Sequence, residues 1–199
     1  MSSANFDWIG RLPGYFAVLT SVLMVGIVVA RVQLLKRNGV EAMHFGKMDK
    51  TDFLIPPFVL FYYYLIIAAA FHLPSVSRQE FFHAELISWI GVVFCLIGLS
   101  LLVWSLVSFG RSFRVGIDAE NPDRLITSGV FAFSRNPLYV AFWMILFGQF
   151  LIFPNWILLV YLGAATWLFH RQVLREESYL KQHYGQEYSD YCQRVSRYV

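Results

Sequence analysis

Four long stretches of this chain contain no Asp, Glu, Lys or Arg: residues 12–30, 53–77, 86–110 and 136–170. Roughly 20 apolar residues in helical form cross a bilayer core. Each of the first three stretches therefore predicts one membrane helix. The fourth is too long for one crossing, since at about 1.5 Å per residue it would reach roughly 50 Å against a core of about 30 Å. Phe153-Pro154-Asn155 interrupts it near the middle. Proline stops a helix and Asn favours a turn. Two short helices, about 137–152 and about 155–170, are expected to meet there in a tight hairpin. The fold class expected is all-α and polytopic, with about five membrane crossings.

The charges sort themselves along this pattern. The alternate connections and the C-terminal tail carry Arg31, Lys36, Arg37, Lys47, Lys50, Arg111, Arg114, Arg124, Arg135, Arg171, Arg175, Lys181, Arg194 and Arg197. That places 14 of the 16 Lys and Arg on one side, leaving Arg11 and Arg78 on the other. Cytoplasmic loops are enriched in Lys and Arg. The N-terminus is thus expected outside and the C-terminus in the cytosol. A single unbroken helix over the fourth stretch would put the basic tail outside and destroy this asymmetry.

Composition agrees. Of 199 residues, 57% are hydrophobic and 15% charged, against about 25% charged in a soluble domain. Mean hydropathy is +0.53. A chain this short cannot hide so much apolar surface in a water-facing globule. The net charge of +3 reflects the loop asymmetry and does not point to nucleic acid. The two cysteines, Cys95 and Cys192, lie far apart with no metal-ligand spacing and are expected to be free thiols. The opening residues show no basic n-region and no small-residue cleavage site, so the first helix is expected to be retained.

Two polar segments on the basic side are long enough to hold chemistry. The first runs from 108 to 139, and its Phe109, Phe113, Ile117, Leu125, Ile126, Val130, Phe131 and Phe133 are expected to need burial. Long loops of this kind are commonly functional. The second is the tail from His170. It is expected to continue the last membrane helix, turn at Gly185, and form a short helix from about Glu187. The division expected is three N-terminal membrane helices over 1–107 and a catalytic portion over 108–199.

Within these segments stand Leu125-Ile126-Thr127-Ser128-Gly129-Val130-Phe131 and Ser134-Arg135-Asn136-Pro137-Leu138-Tyr139, followed by Glu176-Glu177 and Tyr184-Gly185-Gln186-Glu187-Tyr188-Ser189-Asp190-Tyr191. As a set, these motifs resemble the isoprenylcysteine carboxyl methyltransferase family, part of a wider group of membrane methyltransferases that includes the phospholipid methyltransferases. The resemblance covers about the last 95 residues. One position departs: the family has His before the proline, and here Asn136 stands there. Asn can donate and accept hydrogen bonds but cannot carry a proton charge.

The resemblance implies S-adenosylmethionine bound on the cytosolic side, between the third loop and the tail helix. A lipophilic prenylated cysteine or other lipid substrate would enter from the bilayer and be methylated on its carboxylate. Glu176 matches the family's cofactor-binding glutamate, with Glu177 beside it. Gly116, Ile117, Thr127, Ser128, Gly129, Arg135, Asn136 and Pro137 fall among the matching cofactor positions. Leu125, Ile126, Phe131 and Tyr139 would wall the adenine or the sulfonium. Arg171, Arg175 and Glu176 are the catalytic candidates. Arg171 and Arg175 lie one helical turn apart, and a carboxylate needs a cation to enter a low-dielectric site. The family's substrate arginine aligns nearer Gln172. Asn136 and Pro137 also suit an N-cap and first turn, whose free N–H groups attract an anion. Transfer to a carboxylate needs neither a general base nor a metal. The rival readings are a phospholipid N-methyltransferase with an amine acceptor, an NADPH-dependent membrane sterol reductase, and a non-catalytic sensor.

Overall fold

A computed structural model describes residues 7–37, 55–71, 73, 81–82, 84–110 and 125–199. Six α-helices account for most of them: α1 Asp7–Arg37, α2 Ile55–Ala70, α3 Glu85–Phe109, α4 Pro137–Ile152, α5 Trp156–Tyr184 and α6 Gln186–Arg194. A 3-10 turn, Gly129–Ala132, precedes α4. By length and composition, three helices could cross a membrane: Gly10–Arg37, Glu85–Phe109 and Trp156–Tyr184. Pro57–Ala70 and Pro137–Ile152 are shorter apolar helices.

The expected interruption at 153–155 is present. Asn155 caps α5, its side chain accepting from Leu158 N–H at 2.9 Å and donating to Phe153 O at 3.1 Å. The last membrane helix runs unbroken into the tail, and Gly185, at φ 53°, separates it from α6.

Packing within the bundle uses small residues. A Cβ placed on Gly91 would lie 2.5 Å from Gly148 O, and one on Gly148 would lie 2.6 Å from Gly91 O. The backbones of α3 and α4 therefore touch. About two turns on, Gly98 faces Ile145 in the same manner. Where lipid replaces water, helices gain little from burying apolar groups and associate by such close contact and by hydrogen bonds. The outward faces remain apolar: Leu60, Leu86 and Val160 are 69%, 74% and 68% exposed.

The hydrogen bonds come from an element that hydropathy concealed. Gln149, in the last turn of α4, is 0% exposed. Its amide donates to Ser21 Oγ at 2.7 Å and Ala17 O at 3.1 Å, and it accepts from the Tyr62 hydroxyl. Tyr63 donates to Ser21 O at 2.8 Å. One amide thus ties α1, α2 and α4 together.

Contacts gather at two ends. At one, Phe81 N–H donates to Pro154 O at 2.8 Å, and Gly14 of α1 lies against Phe153. At the other, Arg31 of α1 donates to Gly110 O at the end of α3. At this same end the segment before α4 packs on Ser108 of α3, and Asn136, at the N-terminus of α4, meets Glu177 on the charged portion of α5.

Candidate active site

The segment before α4 is anchored on α3. Gly129 has φ 65°, a conformation that favours glycine, and an added Cβ would lie 2.5 Å from Ser108 Oγ. Val130 N–H donates to that same oxygen at 3.3 Å. Thr127, Ser128 and Gly129 are exposed. The close approach that requires Gly129 is thus to Ser108. Phe131 is buried edge-on against Phe109, ring centroids 4.6 Å apart. Phe133 departs from expectation: it is 69% exposed beside Trp104, because the turn aims it outward along the apolar face. Gly116, Ile117, Phe113 and the basic residues 111, 114 and 124 lie outside the described residues.

Asn136 occupies the N-cap position and Pro137 the first turn, as expected, yet the Asn136 side chain does not cap α4. Its amide donates to Glu177 Oε1 at 3.2 Å and Arg197 O at 3.1 Å. A cap would use the Asn136 Oδ1 to accept from the first N–H groups of α4; the side chain is instead held by its NH2 group, which makes a charge-assisted bond to the buried carboxylate. Asn136 N–H is satisfied instead by Ser134 Oγ at 3.2 Å.

Glu177, 9% exposed, gathers cations as well. Arg197 approaches Oε2 with Nε at 3.0 Å and Nη2 at 2.9 Å, and Arg135 Nη1 lies 3.5 Å from Oε1. The bond to Glu177 raises the Arg197 pKa. Arg135 also contacts Cys192, and its backbone N–H donates to Ser196 O at 3.1 Å. Tyr191 donates to Phe131 O at 2.6 Å. Burial pushes its hydroxyl up to about 12, so it remains a donor at neutral pH. Tyr188, Tyr191 and Val195 form a small core with Leu125, Leu180, Tyr184 and Cys192. These interactions lock α6 and the following residues onto the segment 125–137. The segment 125–137 and the tail, 60 positions apart at Tyr191 and Phe131, are one unit.

Glu176 faces a different set of groups. Its Oε1 accepts from the Tyr139 hydroxyl at 2.6 Å and from Gln172 Nε2 at 3.0 Å. Both partners are neutral. Burial raises the carboxyl pKa, opposed by these two bonds. The Tyr139 ring lies 5.8 Å from Phe169. Arg171 sits over the Trp167 ring at 5.6 Å, and Arg175 is exposed.

Sequence reasoning did not assign Gln172, Ser108, Tyr191 or Arg197. The four-residue spacing of Gln172 and Glu176 was a legible signal. Nothing in the spacing marked Arg197. Among the described residues no group of three His, Cys, Asp or Glu could hold a metal, and Cys95 and Cys192 are free.

Residues 86–187, which span α3 to α6, match the family model described as phospholipid methyltransferase. The chain belongs to that family. Among phospholipid methyltransferase relatives, a probable protein-S-isoprenylcysteine O-methyltransferase of Oryza sativa subsp. indica is 32% identical over 112 residues, 55% of this chain and 59% of that protein. Protein-S-isoprenylcysteine O-methyltransferase B of Arabidopsis thaliana is 32% identical over 55% of this chain and 57% of its own. The Rattus norvegicus protein-S-isoprenylcysteine O-methyltransferase is 31% identical over 60% of this chain and 45% of its own. The matches span only 59% and 57% of the two plant relatives. A solved structure of the eukaryotic intramembrane Ras methyltransferase, isoprenylcysteine carboxyl methyltransferase, superposes with TM-score 0.60 at 21% identity, covering 84% of this chain and 58% of the other. The fold is shared. The motif resemblance to the isoprenylcysteine carboxyl methyltransferases holds.

Proposed function

We propose that this protein is a membrane methyltransferase that uses S-adenosylmethionine to esterify the carboxylate of an isoprenylated cysteine, or a similar lipophilic acid, at the inner leaflet. The observation that carries this reading is the union of the 125–137 segment with the tail, which sets Glu176 and Tyr139 beside the N-terminus of α4. The names of the plant and rat relatives point the same way.

The residues fit the cofactor. Its amino group or ribose hydroxyls need a carboxylate, and Glu176 Oε2 takes part in neither of the bonds made by Oε1. Its carboxylate needs donors, which the first turn of α4 supplies. Leu125, Ile126 and Tyr139 would border the adenine or the sulfonium. When bound, S-adenosylmethionine supplies an electrophilic methyl group. Arg171 or Arg175 would meet the acceptor carboxylate as it leaves the headgroup layer. That acceptor is already deprotonated, so the residues need only hold it in line and exclude water. Glu177 would act indirectly, its oxygens being engaged by Arg135, Asn136 and Arg197. About five crossings with the basic connections in the cytosol complete the picture.

Transfer of labelled methyl groups to a farnesylated cysteine analogue tests the proposal. Labelling of phosphatidylethanolamine instead would establish the second reading, an amine acceptor, which the family description favours. Calorimetry showing heat with NADPH and none with S-adenosylmethionine would exclude both.

A further inference from the structure

The adjacent glutamates of α5 divide their roles by the charge of their partners. Glu177 is met by two guanidinium groups, Arg135 and Arg197, so its charge is spent within the protein. Glu176 is met by a phenol and an amide, both on one oxygen, at 2.6 and 3.0 Å. Neutral donors orient a carboxylate without neutralising it.

We infer that Gln172 is a positioning residue of the candidate site: with Tyr139 it fixes one oxygen of Glu176 so that the other is presented to an ammonium or hydroxyl group of the cofactor. This rests on the methyltransferase reading. A pair spaced four residues apart on a helix is by itself a common and weakly stabilising surface feature. Here a third group from another helix converges on the same atom. Tyr139 comes from α4 and is itself packed against Phe169. Two donors from two helices hold the carboxylate in one orientation before a ligand arrives, which removes part of the ordering cost of binding. A guanidinium at position 172 would compete with the ligand's cation for Glu176. The amide does not.

The test is a double-mutant cycle on the full chain purified in detergent, with S-adenosylmethionine as the probe. Gln172→Leu keeps a good helix former on α5, and its unfolding temperature should match that of the unaltered protein. Its affinity should fall about fivefold to tenfold, with the loss on the cofactor KM rather than on kcat. In the Glu176→Gln background, read up to millimolar ligand, Gln172→Leu should weaken binding no further. Unchanged affinity in the single variant, or an equal loss in both backgrounds, would overturn the inference while leaving the methyltransferase reading intact. Absence of cofactor binding by the unaltered protein would remove that reading and this inference with it.

Discussion

Asn136 donates from the start of α4 to Glu177 of α5 at 3.2 Å, across 41 positions of sequence. The same amide holds Arg197 O. Asn136 and Glu177 are thereby parts of one buried polar cluster, in which Arg135 and Arg197 supply the positive charge.

Removing the carboxylate should release the tail. Glu177→Leu leaves Arg135 without its charge partner in a largely buried position. The expected loss is about 3 kcal/mol, and α6 should become the first site of limited proteolysis. A tail as resistant as before would mean that the Tyr188, Tyr191 and Val195 core alone holds it.

Glu176 and Glu177 should respond oppositely to substitution. The folded-state pKa of Glu176 is raised above its ordinary 4.5 by burial. A raised carboxyl favours the protonated form on folding, so its contribution is most favourable below 4.5 and becomes a penalty as pH rises through the folded value. Glu176→Gln should therefore raise the unfolding temperature of the cofactor-free protein at pH 7 relative to pH 5, and should weaken S-adenosylmethionine binding strongly. Thermal unfolding at both pH values together with calorimetry reads both effects.

The Gln149 node should matter for stability and not for ligand binding. Gln149→Leu removes bonds to Ser21, Ala17 and Tyr62. Interhelical bonds in lipid are worth about 0.6 to 1.7 kcal/mol, so a loss of about 1–2 kcal/mol is expected, with cofactor affinity retained. Reduced affinity at unchanged stability would contradict a purely architectural role.

The α3–α4 contact admits no side chain. Gly148→Val would place a methine carbon 2.6 Å from Gly91 O. The helices must separate, at a cost of about 3 kcal/mol or more, and Gly91→Val should do the same. Gly148→Ala should show a smaller loss in the same direction when unfolding is followed in detergent.

The apolar helices were legible because the signal is one of composition. A run without charge has few alternatives to a helix in lipid, where every backbone group must bond internally. The Pro154-Asn155 break was equally plain, since its chemistry is local. The motif resemblance marked Asn136, Tyr139, Glu176 and Glu177 as residues of one region.

Their division of labour was settled only by folding. Asn136 read as a helix cap, yet its side chain makes no cap bond and donates to the Glu177 carboxylate that the return of α5 brings to it. Gln149 lies unremarked within a run without charge, and only the assembly of three helices gives its amide partners. The motif resemblance placed Gly129 among the cofactor positions, and the close approach that requires glycine there is to the hydroxyl of Ser108 on α3. Local pattern determines which segments are helical and where they break, because those choices depend on neighbours along the chain. Which carboxylate meets guanidinium groups and which meets only neutral donors depends on groups that only the tertiary structure brings within bonding distance.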